Sequence, residues 1–322
     1  MKYNISDIRV IIATYNRSED LEITLKSFKN EISSLSDVMI VDQSTNKLTY
    51  EVVKKLKNKK IRYYHSKTPS LTLARNLGIK KIHKKSKILL FLDDDVSLGK
   101  NYFSKLIEVF NFNKGCVGVG GYYFPKDKTV NKFLNSARKL FFIEHWDKNS
   151  AKTFSVYGAG YPSKLTKVIN SSWLPGFNMA FKKEVFKNNL FDERFFRYAL
   201  AEDFEFGTRL NKKYPNGLFI TPYAPIIHRV STAERMPTPK LAYMNHVNHF
   251  YIQSKVFNDL RGIITFGVAL FGMSLLQIIG TILLPTKTKL LKCKLYFKAL
   301  AYCFKRLHLI RRGNLEIPLK TG

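Results

Sequence analysis

This sequence has few acidic residues and few cysteines, and its first residues do not resemble an apolar leader. Against 54 lysines and arginines stand only 24 aspartates and glutamates, so the 322 residues carry a formal net charge of +30. A surplus of this size predicts an anionic partner, which could be nucleic acid, acidic lipid or a phosphorylated substrate. The hydrophobic content of 45% provides for a substantial core and excludes a disordered chain.

The cysteines exclude two further classes of protein. Cys116, Cys293 and Cys303 are too few and too scattered for a disulfide framework, and they lack the spacing of zinc ligands.

Residues 1–7 are polar, and the apolar run that begins at Ile8 is typical of a strand rather than of a signal core. We therefore expect the catalytic part to remain in the compartment where it is made.

Short apolar runs alternate with helical patterns through the first hundred residues. Strands are predicted at 8–13, 38–41, 61–64 and 88–92, and helices after Ser18 and over 71–82. The alternation predicts an α/β sheet with right-handed crossovers. Ligands of such sheets bind at the carboxyl ends of the strands, where this sequence has Thr14, Asp42 and the cluster 93–95.

Three adjacent carboxylates follow the apolar strand at 88–92. Asp93, Asp94 and Asp95 repel one another, so a fold tolerates them only with solvent or a cation nearby. Alternation along an extended chain points Asp93 and Asp95 to one side and Asp94 to the other. Hard divalent cations take carboxylate oxygens as ligands, and magnesium usually shares its shell with substrate phosphates. The cluster predicts a metal site, with a solvated acidic turn as the alternative.

A second acidic cluster, Glu202 and Asp203, opens a helical pattern. Acids at a helix start can simply complement the helix dipole. At the edge of a cleft, one of them could instead act as a general base for a hydroxyl group. Only the fold could bring this cluster close to the first one, because more than a hundred residues separate them.

His228 follows a strand-like run at 221–227. It is either a structural histidine or a neutral imidazole that completes a metal shell begun by Asp95. The neighbouring Arg229 and Arg235 could hold a diphosphate, or they could belong to a solvated basic loop.

The segment 262–284 is 23 residues long without a charge, which is enough to cross a bilayer. Basic residues follow it as far as Arg312, and the positive-inside rule places them in the cytosol. A single crossing would separate this tail from the catalytic part. We therefore expect a hairpin hinged near Gly272 or Gly280, or an interfacial helix, with a buried core helix as the alternative.

The prolines of the segment 236–239 would interrupt any continuing element. We place the domain boundary there. The prediction is a catalytic domain at 1–238 and a helical, basic, membrane-associated tail at 239–322.

Six segments carry a more specific signal. They are V-I-I-A-T-Y-N-R at 10–17, V-D-Q-S at 41–44, A-R-N-L-G-I at 74–79, F-L-D-D-D-V at 91–96, P-G-F-N-M-A-F at 175–181, and F-D-E-R-F with A-E-D-F-E-F-G-T-R-L within 191–210. In this order they resemble glycosyltransferase family 2 over about residues 8–235. The resemblance implies the GT-A fold, a Rossmann-like mixed α/β sheet with helices on both faces.

The resemblance also implies roles for individual residues. Thr14 and Tyr15 would lie beside the nucleoside, and Asp42 would contact the base. Arg75 would lie near the nucleotide, and Asp93 and Asp94 would face the donor. Asp95 would bind the Mg²⁺ or Mn²⁺ that bridges the diphosphate. The loop residues Trp173, Gly176, Phe177 and Asn178 would border the donor sugar and the acceptor, and Asp203 or its neighbour Glu202 would be the inverting base. The segment V-D-Q-S departs from the commoner aspartate-rich turn and leaves the base contact to Asp42 alone.

The expected protein is therefore an inverting glycosyltransferase on the cytoplasmic side of the cell membrane. Its expected partners are a nucleotide-sugar donor, a glycan or lipid-linked acceptor in surface polysaccharide synthesis, and anionic lipid. A metal-dependent nucleotidyltransferase or phosphohydrolase would leave the second acidic cluster and the tail unexplained. A nucleic-acid-binding protein would fit the charge, but the basic runs at 54–60 and 80–87 fit no such module, so we expect no nucleic acid partner.

Overall fold

The computed structural model describes residues 2–81, 86–123, 132–143, 150–153, 155–157, 160, 165–233 and 236–318. The chain forms two compact units, one of Met1–Lys126 with Ser163–Arg235 and one of Asp127–Pro162 with Met236–Gly322. The second unit therefore takes in a segment from the middle of the chain as well as the C-terminal region. The division into a catalytic domain at 1–238 and a membrane tail at 239–322 stays a prediction.

The described residues form ten strands, ten α-helices and three short 3₁₀-helices. The strands are β1 (Ile8–Thr14), β2 (Asp37–Asp42), β3 (Ile61–His65), β4 (Ile88–Leu92), β5 (Val96–Leu98), β6 (Gly118–Tyr123), β7 (Ser150–Ala151), β8 (Ile169–Ser171), β9 (Asn178–Lys182) and β10 (Leu218–His228). The helices are α1 (Ser18–Ser27), α2 (Leu48–Lys55), α3 (Leu71–Lys80), α4 (Tyr102–Phe112), α5 (Lys132–Leu140), α6 (Glu202–Lys213), α7 (Thr238–Lys255), α8 (Leu260–Leu283), α9 (Lys287–Lys305) and α10 (Leu307–Arg311).

The first unit is built on a mixed sheet. Its strands lie in the order β3-β2-β1-β4-β9-β6-β10-β8, with β5 paired to β10. Strands β1 to β4 pair in parallel, and β9 runs antiparallel between β4 and β6. The predicted α/β class with a mixed sheet is confirmed. The parallel strands end at one edge, which is where α/β sheets bind their ligands.

The central strands are apolar because both of their faces are covered. All five residues of β4 are buried, and in β1 only Ala13 is partly accessible. Arg9 is a charged residue in an otherwise apolar part of β1, and its side chain is fully buried. Its Nε donates to Oδ1 of Asp37 on β2 at 2.6 Å, which neutralises the charge at the end of the sheet away from the strand carboxyl ends.

The second unit contains the long C-terminal helices. The side chain of Asp259 caps α8 by accepting a hydrogen bond from the amide of Gly262 at 2.7 Å. Helix α8 runs unbroken through Gly272 and Gly280, so the hinge expected at these glycines is absent and that expectation was wrong. Among the described residues, α8 is long and apolar enough to cross a membrane by length and composition.

Candidate active site

Three metal-ligating side chains meet at the carboxyl edge of the sheet. One ligand atom each of Asp93, Asp95 and His228 lies within 4.8 Å of the others. His228 is the last residue of β10 and pairs with Val96, directly after the aspartates, so strand pairing brings the imidazole to them. Its Nε2 is 3.0 Å from Oδ1 of Asp95.

The Asp95 carboxylate is held by the loop that follows β10. The amide of Ser231 donates to its Oδ2 at 2.8 Å, and the amide of Arg229 donates to its backbone oxygen at 2.9 Å. Val230, between them, has a φ of 60°, which is unfavourable for a β-branched residue and marks a constrained turn. Burial alone would raise the pKa of Asp95, but the His228 imidazole and the Ser231 amide lower it to about 2.

This donor set fits a hard or borderline divalent cation. A carboxylate oxygen of Asp95 and a ring nitrogen of neutral His228 are both electron-pair donors, so at this distance they must share either a proton or a cation. The side chain of Asp93 is 31% exposed, which leaves one side of the cluster open to oxygen atoms of a substrate. Two carboxylates and one imidazole are ligands that Mn²⁺ accepts.

Asp94 points away from this cluster, as predicted, although residues 94 and 95 lie in the turn between β4 and β5 and not in an extended strand. The hydroxyl of Thr14 donates to its Oδ2 at 2.7 Å, and Nη1 of Arg17 lies 3.3 Å from its Oδ1. Burial raises the pKa of Asp94 to about 7 in spite of these partners. The Asp94 side chain thus joins β1 and the start of α1 to the end of β4.

The second acidic cluster lies at the start of α6. Glu202 is 5% exposed, and its Oε1 pairs with Nη1 of Arg75 from α3. Nη2 of the same arginine donates to the carbonyl oxygen of Gly176 at 2.8 Å and to Oδ1 of Asp93 at 3.2 Å. Arg75 therefore connects the two acidic clusters through one buried guanidinium group.

Asp203 is more accessible than its neighbour Glu202. Its Oδ2 accepts a hydrogen bond from the amide of Gly176 at 2.7 Å. Burial raises the pKa of Asp203, while that amide and Arg75 oppose the rise. A Cβ atom on Gly176 would lie 3.2 Å from both Nη2 of Arg75 and Oδ2 of Asp203, so glycine permits this close approach. A partly accessible carboxylate with a raised pKa is suited to accept a proton.

A family model described as "Glycosyl transferase family 2" matches residues 9–188. The chain belongs to glycosyltransferase family 2. An "Uncharacterized glycosyltransferase" of Rickettsia bellii (strain RML369-C) is 34% identical over 89 residues, or 27% of this chain. The match spans only 13% of that relative's length.

Solved glycosyltransferases share the GT-A fold with this family 2 member. The mannosyltransferase PcManGT from Pyrobaculum calidifontis, in complex with GDP-Man and Mn²⁺, superposes with a TM-score of 0.58 and 14% identity over 95% of this chain and 88% of that one. GalNAc-T7 with UDP, GalNAc and Mn²⁺ gives a TM-score of 0.54 and 14% identity over 78% of this chain and 48% of that one. At this identity the likeness establishes the shared fold alone.

The residues predicted to contact the nucleoside lie at the ends of β1 and β2. Thr14 is buried and Tyr15 is half-buried directly after it. Asp42 is fully buried, and its oxygens accept hydrogen bonds from the Tyr63 hydroxyl at 2.7 Å and the Ser44 amide at 2.9 Å. These contacts fix the Asp42 carboxylate at the strand end, and the nucleoside roles stay predictions.

Two residues of the predicted sugar loop border both acidic clusters. Gly176 contacts Arg75 and Asp203 as described. The ring of Phe177 stacks on His228 with 4.6 Å between ring centroids, and its carbonyl oxygen accepts a hydrogen bond from the Asp93 amide at 3.3 Å. This loop therefore packs against the metal-ligating side chains.

The other two loop residues pack against the scaffold, Trp173 half-buried and Asn178 fully buried. The ring of Trp173 meets that of Phe204 on α6 at 5.6 Å. Asn178 is fully buried, where it bonds to the Tyr102 hydroxyl and exchanges hydrogen bonds of 2.7 and 2.8 Å with the backbone of Gly121. The side chain of Asn178 thus ties β9 to β6.

Of the two arginines predicted to hold the diphosphate, only Arg229 lies within the described residues. The guanidinium of Arg229 donates to the backbone oxygens of Val96 at 2.5 Å and Asp20 at 2.9 Å, which braces the scaffold beneath the cluster. Arg235 lies outside the described residues. A phosphate role for either arginine stays a prediction.

Sequence reasoning assigned no role to Arg17. Its Nη1 lies beside Asp94, and its Nε and Nη2 donate to the carbonyl oxygen of Ala233 at 3.1 and 2.8 Å. The side chain therefore ties the loop after β10 to the end of β4. The sequence did offer a reason to consider Arg17, because it is the last residue of the segment 10–17 that resembles the family.

Proposed function

We propose that this chain transfers a sugar from a nucleotide-diphosphate donor to a hydroxyl group of a glycan or lipid-linked glycan, with inversion at the anomeric carbon. We base this on the meeting of two groups at one sheet edge, a cation-binding cluster and a base with a raised pKa. Asp93, Asp95 and His228 form the cluster, and Asp203 is the base. Arg75 holds the two in one arrangement.

A divalent cation, Mg²⁺ or Mn²⁺, belongs to the proposal. Asp93, Asp95 and His228 would hold it, and it would supply positive charge to neutralise the leaving diphosphate. The likeness to two glycosyltransferases solved with Mn²⁺ and with GDP-Man or UDP supports this assignment.

The reaction is a single displacement. The acceptor oxygen attacks the anomeric carbon from the side opposite the diphosphate, so one C–O bond forms as the bond to the phosphate oxygen breaks. The hydroxyl proton passes to Asp203, and the nucleoside diphosphate departs. Glu202 is engaged with Arg75 and buried, which favours Asp203 as the base.

The donor occupies the carboxyl ends of the first strands in this proposal. Thr14 and Tyr15 lie beside the nucleoside, and Asp42 contacts its base. Arg75 lies near the nucleotide, and Asp93 faces the ribose. The loop with Gly176 and Phe177 borders the transferred sugar. Their placement at one edge of the sheet supports this arrangement, because ligands of such sheets bind there.

The second unit would hold the enzyme at the cytoplasmic face of a membrane that contains anionic lipid. Helix α8 is apolar and α9 is basic, which supports both attachment and a lipid-linked acceptor in surface polysaccharide synthesis.

The test uses the purified full chain with a panel of nucleotide-sugars, with and without Mn²⁺ and with candidate acceptor lipids. A transferase releases nucleoside diphosphate at a rate that depends on the acceptor and forms a glycosylated product. Release of diphosphate at the same rate without an acceptor would identify a phosphohydrolase and overturn the proposal.

A further inference from the structure

Helix α8 has two unlike faces. One face is buried and rich in small residues: Gly262, Thr265, Ala269, Leu270 and Gly272. The opposite face exposes large apolar side chains at helical spacing, which we call the apolar stripe: Leu260, Ile264, Phe271, Ile278 and Ile282. These side chains are between 43% and 74% exposed along the whole helix. Such a stripe on the outside of a protein marks a surface that another apolar phase covers.

Helix α9 packs back along α8 in the antiparallel direction. The Tyr296 hydroxyl lies 3.1 Å from Oγ of Ser274 and donates to the carbonyl oxygen of Leu270 at 3.4 Å. Nearer the turn, Nζ of Lys289 donates to the carbonyl oxygen of Gly280 at 3.2 Å. The middle of α9 therefore lies beside the middle of α8.

The outer face of α9 carries a row of positive charge. Lys287, Lys294, Lys298 and Lys305 are all exposed and recur at helical spacing on one side, which we call the lysine row. Leu290, Phe297 and Phe304, spaced by seven residues, form an apolar row next to it on the same helix. No acidic residue occurs in the sequence between Asp259 and Glu316.

This pairing argues against a crossing by α8. If α8 spanned the bilayer with α9 beside it, Lys294 and Lys298 would enter the hydrocarbon near its centre, where an ammonium group is most costly. If the hairpin lies flat, the same lysines can extend along the apolar surface toward the headgroups.

We propose that α8 and α9 lie along the surface of an anionic phospholipid bilayer without crossing it. The apolar stripe and the apolar row enter the boundary between headgroups and acyl chains, and the lysine row meets lipid phosphates. The absence of acids favours an anionic surface, and a second copy of a chain with net charge +30 would repel it. The inference rests on the membrane attachment in the proposed function, but not on its chemistry.

The depth of α8 distinguishes the two arrangements. Single nitroxide labels are placed at positions 264, 271 and 278 of the full chain, with half-buried Cys293 replaced by serine, and accessibility is measured on phosphatidylglycerol-containing vesicles. A flat helix gives one shallow depth for all three labels. A crossing helix would place the label at 271 about 10 Å deeper than that at 264, at 1.5 Å of rise per residue, and would overturn the proposal.

Vesicle flotation tests the chemistry of the surface. We expect Lys294→Glu with Lys298→Glu to weaken binding to phosphatidylglycerol vesicles by about tenfold or more, and to leave binding to phosphatidylcholine vesicles nearly unchanged. Ile278→Glu with Ile282→Glu should weaken binding to both. The matched controls are Lys55→Glu with Lys59→Glu and Phe112→Glu, which change exposed residues of the first unit and should bind like the wild type.

Two outcomes would contradict the docking surface. One is unchanged flotation of both variants, and the other is conversion of a wild-type dimer to monomers by the apolar-stripe variant with vesicle binding intact. Sugar transfer with the panel of nucleotide-sugars and acceptors that tests the proposed function is measured in parallel. A wild type that binds vesicles but transfers no sugar would refute the proposed function and leave this inference standing.

Discussion

In the two acidic clusters of the first unit, different groups compensate the negative charge of the carboxylates. In the first cluster, the turn between β4 and β5 places Asp94 against Thr14 and brings Asp93 and Asp95 beside an imidazole, with one side open. In the second, a buried arginine neutralises one acid, and a backbone amide holds the other. The first arrangement leaves ligand atoms for a cation, whereas the second leaves one carboxylate for a proton. The comparison separates metal binding from base catalysis, and mutations can test that separation.

The largest effect is expected for Asp95→Asn. The amide keeps an oxygen for the Ser231 N–H but loses the charge that a divalent cation requires. We expect metal-dependent turnover to be abolished and donor binding in Mn²⁺ to weaken. Steady-state transfer and calorimetric donor binding measure the two effects. Glu108→Gln, at a surface pair with Lys105, is the control and should behave like the wild type. Unchanged rate and donor affinity in Asp95→Asn would remove the metal site from this residue.

Asp203→Asn should affect the chemical step alone. The asparagine oxygen can still accept the hydrogen bond from Gly176, so the loop should keep its position. We expect the transfer rate to fall by about 100-fold or more, the scale of general-base catalysis, while donor affinity survives. Single-turnover rates and donor titration separate the two. An active Asp203→Asn enzyme beside an inactive Glu202→Gln enzyme would assign the base to Glu202.

The pH profile should report the same carboxylate. Burial raises the pKa of Asp203 above its usual 3.8, and only the deprotonated form accepts a proton. The rate constant of the donor-saturated enzyme should therefore fall as pH is lowered toward that raised pKa, by about tenfold per pH unit below it. A rate that stays constant down to the ordinary aspartate range would be inconsistent with Asp203 as the base.

Glu202→Gln should act mainly on stability. The substitution removes one of the two carboxylates that pair with the buried guanidinium of Arg75, and leaves Asp93 and the Gly176 carbonyl. We expect a loss near the lower end of the range for a broken buried ion pair, about 3 kcal/mol in the free energy of unfolding. Urea denaturation followed by circular dichroism measures it. A variant as stable as the wild type would mean that this pair has no structural role.

The smallest effect is expected for Asp94→Asn. Because the pKa of Asp94 is raised to about 7, its neutral form is already accessible near neutral pH. Asparagine resembles that form and can still accept from Thr14. The change removes the ion pair with Arg17, but we expect transfer rates within about threefold of the wild type, because Asp94 points away from the metal ligands and Arg17 keeps its bonds to the carbonyl oxygen of Ala233. A loss of transfer rate as large as that of Asp95→Asn would show that Asp94 takes part in the reaction and is not separate from the metal-ligating aspartates.

Local patterns predicted the strands and the polar strand ends because each depends on a few neighbouring residues. The run that became β1 is rich in β-branched residues, and the run that became β4 is entirely apolar and is followed directly by the cluster at 93–95. The link from Arg75 to Glu202 could not be read from the sequence, because it joins residues 127 positions apart. The unbroken course of α8 was also missed. Glycines 272 and 280 weaken a helix in isolation, but Gly272 packs against Phe141 and the carbonyl oxygen of Gly280 accepts a hydrogen bond from Lys289, contacts that local sequence does not show.

Mn²⁺ binding to the purified protein tests the separation of the two acidic clusters most directly, because it requires no donor, acceptor or turnover. We expect the electron paramagnetic resonance signal of free Mn²⁺ to titrate into a bound form with a nitrogen coupling from one imidazole. Asp95→Asn should weaken this binding strongly, His228→Gln should remove the nitrogen coupling, and Asp203→Asn should bind Mn²⁺ like the wild type. Equal Mn²⁺ affinity in the wild type and Asp95→Asn, or loss of binding in Asp203→Asn, would contradict the assignment of metal and base to separate clusters.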